Sequence, residues 1–92
     1  MTFSVEVAGL RRDDATTRFT VRVDGMSYDV GVSDTDADQL APGVGAKELV
    51  RESFCFLLER EPPESILSRF DLSVIERYFP GYRNEIARRL KR

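Results

Sequence analysis

The chain has 92 residues, a formal net charge of −2 and one cysteine. This length suffices for one modest hydrophobic core, so we expect a single domain over residues 1–92. With 41 % hydrophobic and 33 % charged residues, the composition excludes a disordered chain and is typical of a globular protein.

Three features of the sequence indicate where in the cell the protein is located. The longest apolar run, at 54–58, is far too short to span a membrane, so we expect no membrane partner. The first residues lack a basic stretch followed by an apolar block, which argues against a signal peptide. One cysteine cannot form an internal disulfide bond and favours a reducing compartment. These features predict a cytoplasmic protein.

The first third of the chain alternates between apolar and polar residues, which is the period of a strand with one buried face. The alternation covers residues 2–8, 17–23 and 26–32, whereas residues 9–16 read as a charged loop. We therefore predict three antiparallel strands in a meander with one apolar face.

The strongest local signal is Asp24-Gly25 between the second and third runs. It predicts a two-residue hairpin loop, because a type I′ turn needs positive φ at both central positions. This loop pairs Val23 with Met26 and places the apolar residues of both strands on one face. On the opposite face, Arg18 lies diagonal to Asp29 and within reach of it.

A central helix is predicted over residues 46–60, after a short helix or turn at 33–40. Its apolar positions form an arc of roughly 200°, whereas a helix on one surface needs only about 100°. Pro62-Pro63 end the helix. The helix must therefore be covered on two sides, by other parts of the chain or in part by a partner.

Two or three short helices follow, because prolines divide the C-terminal third of the chain. We predict them over residues 64–69, 72–79 and 81–91, with Asp71 as N-cap of the second. Phe70 and Ile75 would then form a hydrophobic staple. The aromatic residues of this third are assigned to the core: Phe70, Tyr78, Phe79 and Tyr82.

The predicted fold class is α+β. A three-stranded antiparallel meander packs on one side of the central helix, and the C-terminal helices cover its other side. No partner is needed to meet the two-sided demand of that helix.

Most common catalytic chemistry is disfavoured by the residue content. The chain has no histidine, which excludes Ser-His and Cys-His catalysis and histidine-based metal sites. Cys55 falls among glutamates, which oppose formation of a nucleophilic thiolate. We predict no catalytic residue and no enzyme activity.

Two short motifs resemble ligand sites but are incomplete. Asp34, Asp36 and Asp38 match the first ligand positions of an EF-hand loop, but the expected glycine and glutamate are missing further on. Gly43 and Gly45 resemble the start of a phosphate loop, but no strand directly precedes them. We predict no metal and no cofactor.

The last ten residues are basic, with five cations against Glu85. They either contact nucleic-acid phosphates or a partner, or form a solvated helix end that complements the helix dipole. No Gly-rich or aromatic RNA-binding motif accompanies them. The candidate contact residues are Arg83, Arg88, Arg89, Lys91 and Arg92.

Residues 47–82 carry the pattern ELVRESF, then ESIL and FDLSVIERYFP. This half of the chain resembles a family of small uncharacterised bacterial proteins, in which a β-rich start precedes the same two blocks. The resemblance implies a bacterial, cytoplasmic setting, and it implies no activity and no functional residues.

We predict a non-catalytic interaction or regulatory module, acting as a homodimer or with a protein partner. This prediction rests on the wide apolar arc of the central helix in a small chain that lacks a recognisable set of catalytic residues. The alternative is a nucleic-acid-binding, antitoxin-like regulator that uses the basic C-terminal helix.

Overall fold

The computed structural model of the protein describes residues 4–40 and 42–90, without the side chain of Leu10. Within these residues the chain forms four strands, four α-helices and one 3₁₀ turn. In chain order they are β1 (Val5–Asp13), β2 (Thr16–Val23), β3 (Met26–Ser33), α1 (Asp34–Leu40), α2 (Ala46–Leu58), the 3₁₀ turn (Pro63–Ser65), β4 (Arg69–Asp71), α3 (Ser73–Tyr78) and α4 (Tyr82–Leu90).

The four strands form one mixed sheet in the order β1-β2-β3-β4. The pairs β1-β2 and β2-β3 are antiparallel, whereas β4 pairs with β3 in parallel. The fold is α+β, as predicted, but the sheet has one strand more than the three expected. None of the described helices is both long and apolar enough to cross a membrane.

The predicted hairpin and its register are confirmed. Val23 lies opposite Met26, and both turn residues have positive φ, 49° at Asp24 and 83° at Gly25. Positive φ costs glycine almost nothing and is tolerated by aspartate, so this dipeptide accepts the turn readily. On the polar face, Arg18 Nε donates to Asp29 Oδ1 at 2.8 Å, which is the predicted diagonal pair.

The charged loop predicted at residues 9–16 is wrong for most of its length. β1 continues to Asp13, and only the turn between Asp13 and Thr16 remains outside the ladder. The register shifts between Ala8 and Arg11, so a bulge lets the strand resume pairing after its alternation is interrupted. Residues 2 and 3 of the predicted first strand lie outside the described residues.

The helix predicted at residues 64–69 is also wrong. Only the 3₁₀ turn forms there, and the chain then runs extended into β4. The free edge of β3 offers unpaired backbone groups that an extended segment can satisfy. Asp29 N–H donates to Ser68 O at 2.8 Å, and Leu72 N–H donates to Gly31 O at 2.9 Å. Edge pairing therefore outweighs local helix propensity in this segment.

Gly31 permits a charged cluster over the polar face of the sheet. A Cβ at this position would collide with Asp71 Oδ1 and come within 2.7 Å of Arg18 Nη1. Arg18 thereby reaches Asp29 at 2.8 Å and Asp71 at 3.3 Å, and so links three strands. Asp71 is the last residue of β4 and belongs to this cluster.

The N-cap predicted at Asp71 is therefore a further correction. α3 begins at Ser73, and its N-cap position is Leu72, which has no side-chain capping bond. The Asp71 carboxylate faces Arg18 instead, because β4 turns it toward the polar face of the sheet. Both residues of the proposed staple, Phe70 and Ile75, are buried in the core.

The wide apolar arc of α2 is covered on two sides by the chain itself. On the sheet side, the Phe54 ring packs against Tyr28 and Phe70, with centroids 5.1 and 5.9 Å apart. On the other side, Phe56 meets the Tyr82 ring edge-on at 5.4 Å. Tyr82 and Ser53 are buried and joined by a hydrogen bond of 2.7 Å between their hydroxyl oxygens.

Candidate interaction surface

The basic residues predicted as contacts differ in how they are held. Arg83 is bound by two carboxylates, with Nε 2.7 Å from Glu76 Oε2 and Nη2 3.2 Å from Asp36 Oδ1. The hydrogen bond to Glu76 is the main reason why the pKa of the Arg83 guanidinium is raised. This side chain joins α4 to α1 and α3, and its charge is already neutralised.

Arg89 is held in the same way on the other side of α4. Its Nη2 lies 2.6 Å from Glu59 Oε1, and its Nε lies 3.0 Å from Glu85 Oε2. The bond from Arg89 also lowers the pKa of Glu59. The pair between Glu85 and Arg89 joins residues four positions apart on α4, and it neutralises a second cation of the basic end.

Arg88 differs, because 76 % of its side chain is exposed and its nearest carboxylate oxygen, on Glu85, is 3.5 Å away. Lys91 and Arg92 lie outside the described residues. Of the three candidate cations that the structure describes, Arg83 and Arg89 therefore join helices and Arg88 points to solvent.

The incomplete acidic motif also has structural partners. The Asp34 carboxylate receives two hydrogen bonds from Arg12, at 2.5 and 2.8 Å, and its pKa is lowered by them. The Asp36 carboxylate binds Arg83, and the Asp36 N–H donates to Ser33 Oγ at 3.1 Å. Within residues 4–40 and 42–90, no group of three or more cysteine or carboxylate side chains is arranged to hold a metal ion.

Cys55 is half-buried on α2, and its thiol is poorly suited to nucleophilic chemistry. Burial is the largest cause of its raised pKa, and the charge of Glu52 raises it further. A raised pKa means less thiolate at neutral pH, whereas reactive cysteines have a lowered one.

The most distinctive surface is an open apolar groove of about 280 Å³ near the C-terminal end of α2. We call it the C-terminal groove. It lies between the end of α2, the segment that leads into β4, and α3. Its lining residues are Leu57, Glu61, Ser65, Ile66, Leu67, Phe70, Val74, Ile75, Tyr78 and Phe79.

One wall of the groove is formed where α2 ends. Leu57 belongs to the last turn of the helix, and the Glu61 N–H donates to Leu57 O at 2.8 Å. This bond continues the helical path for one more turn, so Glu61 stays above Leu57 on the same side. Pro62 and Pro63 then turn the chain away, and Tyr28 Oη donates to Pro63 O at 2.6 Å, which anchors the bend to the sheet.

The floor and the rim of the groove have different exposure. Phe70 and Ile75 form a buried floor, and both belong to the single hydrophobic core cluster. Leu67 and Tyr78 stand on the rim, with 53 % and 68 % of their surface exposed. Met26, on the hairpin, is the other large apolar residue that is exposed among the described side chains. Two of these three residues thus border one groove.

The assignment of Tyr78 to the core is wrong. α3 has only six residues, and its buried contact with the rest of the chain is made by Ile75. Tyr78 lies about 60° from Ile75 around the helix axis, since residues are spaced by about 100°. An aromatic residue at the end of so short a helix has few neighbours to cover it. The position of Tyr78 near the end of a short predicted helix could therefore have indicated its exposure.

The groove is a mainly apolar surface. The groove contains apolar and aromatic side chains and one carboxylate, Glu61. An apolar depression bordered by large exposed side chains is a candidate binding site. No family model matches the chain, and neither does any curated protein or solved structure with which it was compared.

Proposed function

We propose that the protein is a non-catalytic interaction module that binds a protein partner through the C-terminal groove. The observation that supports this proposal is the exposure of Leu67 and Tyr78 beside an apolar depression. Burying such side chains stabilises a complex by about 25 cal/mol for each Å² removed from water. A bacterial, cytoplasmic setting belongs to the same proposal and rests on the sequence resemblance and on the lone cysteine.

The location of this apolar surface differs from the one that the sequence suggested. The wide arc of α2 was the first motive for a partner, but sheet and helices cover it. The groove begins where that cover ends, beside Leu57 and beyond the last turn of α2. The groove therefore replaces the arc as the basis of the proposal.

The experiment compares two variants of the full chain in their binding. In Leu67→Ser/Tyr78→Ser both exposed rim residues become small and polar. Met26→Ser is the matched control, because it removes an exposed apolar side chain outside the groove. Affinity-tagged protein is used for quantitative recovery of partners from a native lysate, and light scattering measures self-association.

We expect wild type and Met26→Ser to recover the same partner or to self-associate equally, and the double variant to lose this binding by roughly tenfold or more. Circular dichroism checks that all three chains are folded. A strictly monomeric wild type that recovers no partner would contradict the proposal. Equal binding by the double variant would contradict it as well.

The nucleic-acid-binding alternative stays a prediction. Arg83 and Arg89 are neutralised by carboxylates, so Arg88 is the most exposed of the three described cations among the candidate contacts. Its test is a gel shift at low salt, in which binding should weaken with added salt and with Arg88→Ala. The absence of any shift at low salt would rule this function out.

A further inference from the structure

We propose that the bulge in β1 prevents this edge of the sheet from pairing with the β1 strand of a second copy. The sheet has two outer strands, β1 and β4. Among the residues that the structure describes, no strand pairs with the outer side of β1. The proposal does not depend on the C-terminal groove, whose floor belongs in part to β4 at the opposite edge.

The first part of β1 has backbone groups that another strand could bind. Val23 and Met26 flank the two-residue hairpin loop and bond to each other through their backbone groups. Val23 therefore does not bond to Val5, which lies opposite it on β1, and the N–H and C=O of Val5 point away from the sheet. Without a further feature, this edge would be open to strand addition.

The bulge interrupts the regular part of this edge. Three steps along β1, from Ala8 to Arg11, match only two steps along β2, so β1 contains one extra residue. A bulge bends its strand and increases the local twist. It divides β1 into the regular segments 5–8 and 11–13, both shorter than a typical strand of about 5–6 residues. A straight strand that pairs with one segment cannot continue along the other.

Gly9 gives the bulge its backbone conformation. Its φ is 71°, which costs glycine almost nothing and is typical of one class of bulge. A Cβ at this position would lie 3.2 Å from Thr20 Oγ1. Arg11 and Arg12 follow directly after the bulge, and both are exposed. Charged side chains on an edge strand also oppose pairing, so backbone and charge act together here.

The test removes the extra residue. Deletion of Gly9 makes the steps along β1 and β2 equal, so that β1 can form one continuous edge. Deletion of Leu10 has the same effect on the count and is measured in parallel. The control combines each deletion with Val5→Pro. Proline removes an outward N–H, and it is tolerated at the first residue of an edge strand.

Sedimentation velocity measures the self-association of each full-length chain over a range of concentrations, and circular dichroism checks the fold. Each variant is compared with the wild type, so any association through the C-terminal groove is common to all samples. We expect the deletions to lower the dissociation constant for self-association by roughly tenfold or more. Adding Val5→Pro should return it to the wild-type value.

Three results would overturn the proposal. Folded deletion variants that associate no more than the wild type show that the bulge does not prevent pairing. Association that persists with Val5→Pro uses a surface other than the β1 edge. If neither deletion variant folds, the bulge is required for folding itself and is not a barrier to strand addition.

Discussion

The two sides of the C-terminal half of α2 differ in how completely the chain covers them. On the α4 side, Phe56 and Tyr82 are both nearly inaccessible to solvent, and Tyr82 is hydrogen-bonded to Ser53. On the groove side, Leu57 is buried, but Tyr78 is 68 % exposed. Two tyrosines of neighbouring helices thus have opposite environments.

The difference follows from the lengths of the covering helices. α4 has nine residues and presents Tyr82, Ile86 and Leu90 as a continuous buried stripe. α3 has six residues and presents one fully buried residue, Ile75. A nine-residue helix can cover the apolar surface of α2 along more than two turns, whereas α3 ends before it can cover the groove. The chain therefore covers α2 more completely on the α4 side than on the groove side.

The covered side is also reinforced by charges. The Arg60 guanidinium lies 3.7 Å from the centroid of the Phe56 ring, and its Nη1 donates to Phe56 O at 3.0 Å. Arg89 lies above the same ring at 5.9 Å and holds Glu59. These cations stabilise the α2–α4 contact. They are consequently less available to a nucleic acid.

The largest expected effect is on the covered side, in Phe56→Ala. The ring is 2 % exposed and packs against Phe79 and Tyr82. Its removal leaves a cavity, so the free energy of unfolding should fall by about 3–5 kcal/mol. Urea denaturation followed by circular dichroism measures this, since the chain has no tryptophan. A loss below about 1 kcal/mol would show that the α4 side is not the tightly packed one.

The second effect is a loss of stability at alkaline pH through Tyr82. Burial raises the pKa of Tyr82 to about 12 from its ordinary value of 10.0. The protonated hydroxyl is therefore favoured in the folded state, and its contribution is complete below about pH 10 and is lost as pH rises toward 12. The full difference corresponds to roughly 3 kcal/mol.

The variant Tyr82→Phe isolates this contribution. Between about pH 10 and 12 its free energy of unfolding should fall less than that of the wild type, by roughly 2 kcal/mol. Tyr78→Phe is the control on the groove side, and it should keep the decline of the wild type, because Tyr78 is exposed. Equal pH dependence in Tyr82→Phe and the wild type would contradict the burial of this hydroxyl.

The smallest expected effect on folding is that of Tyr78→Ser. Its side chain contributes little to the core, so the free energy of unfolding should change by no more than about 0.5 kcal/mol. The measurement is made at a protein concentration low enough to keep the chain monomeric, because a dimer would add its own stability. A loss comparable to that of Phe56→Ala would show that Tyr78 belongs to the core after all.

Local patterns were sufficient for part of the fold. The Asp24-Gly25 turn specifies its own backbone angles, and a two-residue loop leaves one register in which Val23 meets Met26. The span of α2 follows likewise from its apolar spacing and from the prolines that end it. In both cases the decisive interactions join residues that are near in sequence.

Local patterns were insufficient where distant segments compete for the same residues. Asp71 has the chemistry of an N-cap, yet Arg18, 53 positions away, binds its carboxylate. The segment before it has helix-forming residues, yet the edge of β3 draws it into a strand. The groove depends on the pairing of β4 with β3, because Phe70, which forms part of the groove floor, belongs to β4.

The amino-acid sequence by itself determined the α+β class, the hairpin with its register and the need to cover α2 on two sides. Only the tertiary structure decided that a fourth strand would form, that Arg83 and Arg89 would be neutralised and that Tyr78 would remain exposed. The physical reason is the sequence separation of the interacting residues, because turn angles and helix periodicity are set by residues only a few positions apart. Edge pairing, ion pairing and burial depend on which distant segments the folded chain brings together.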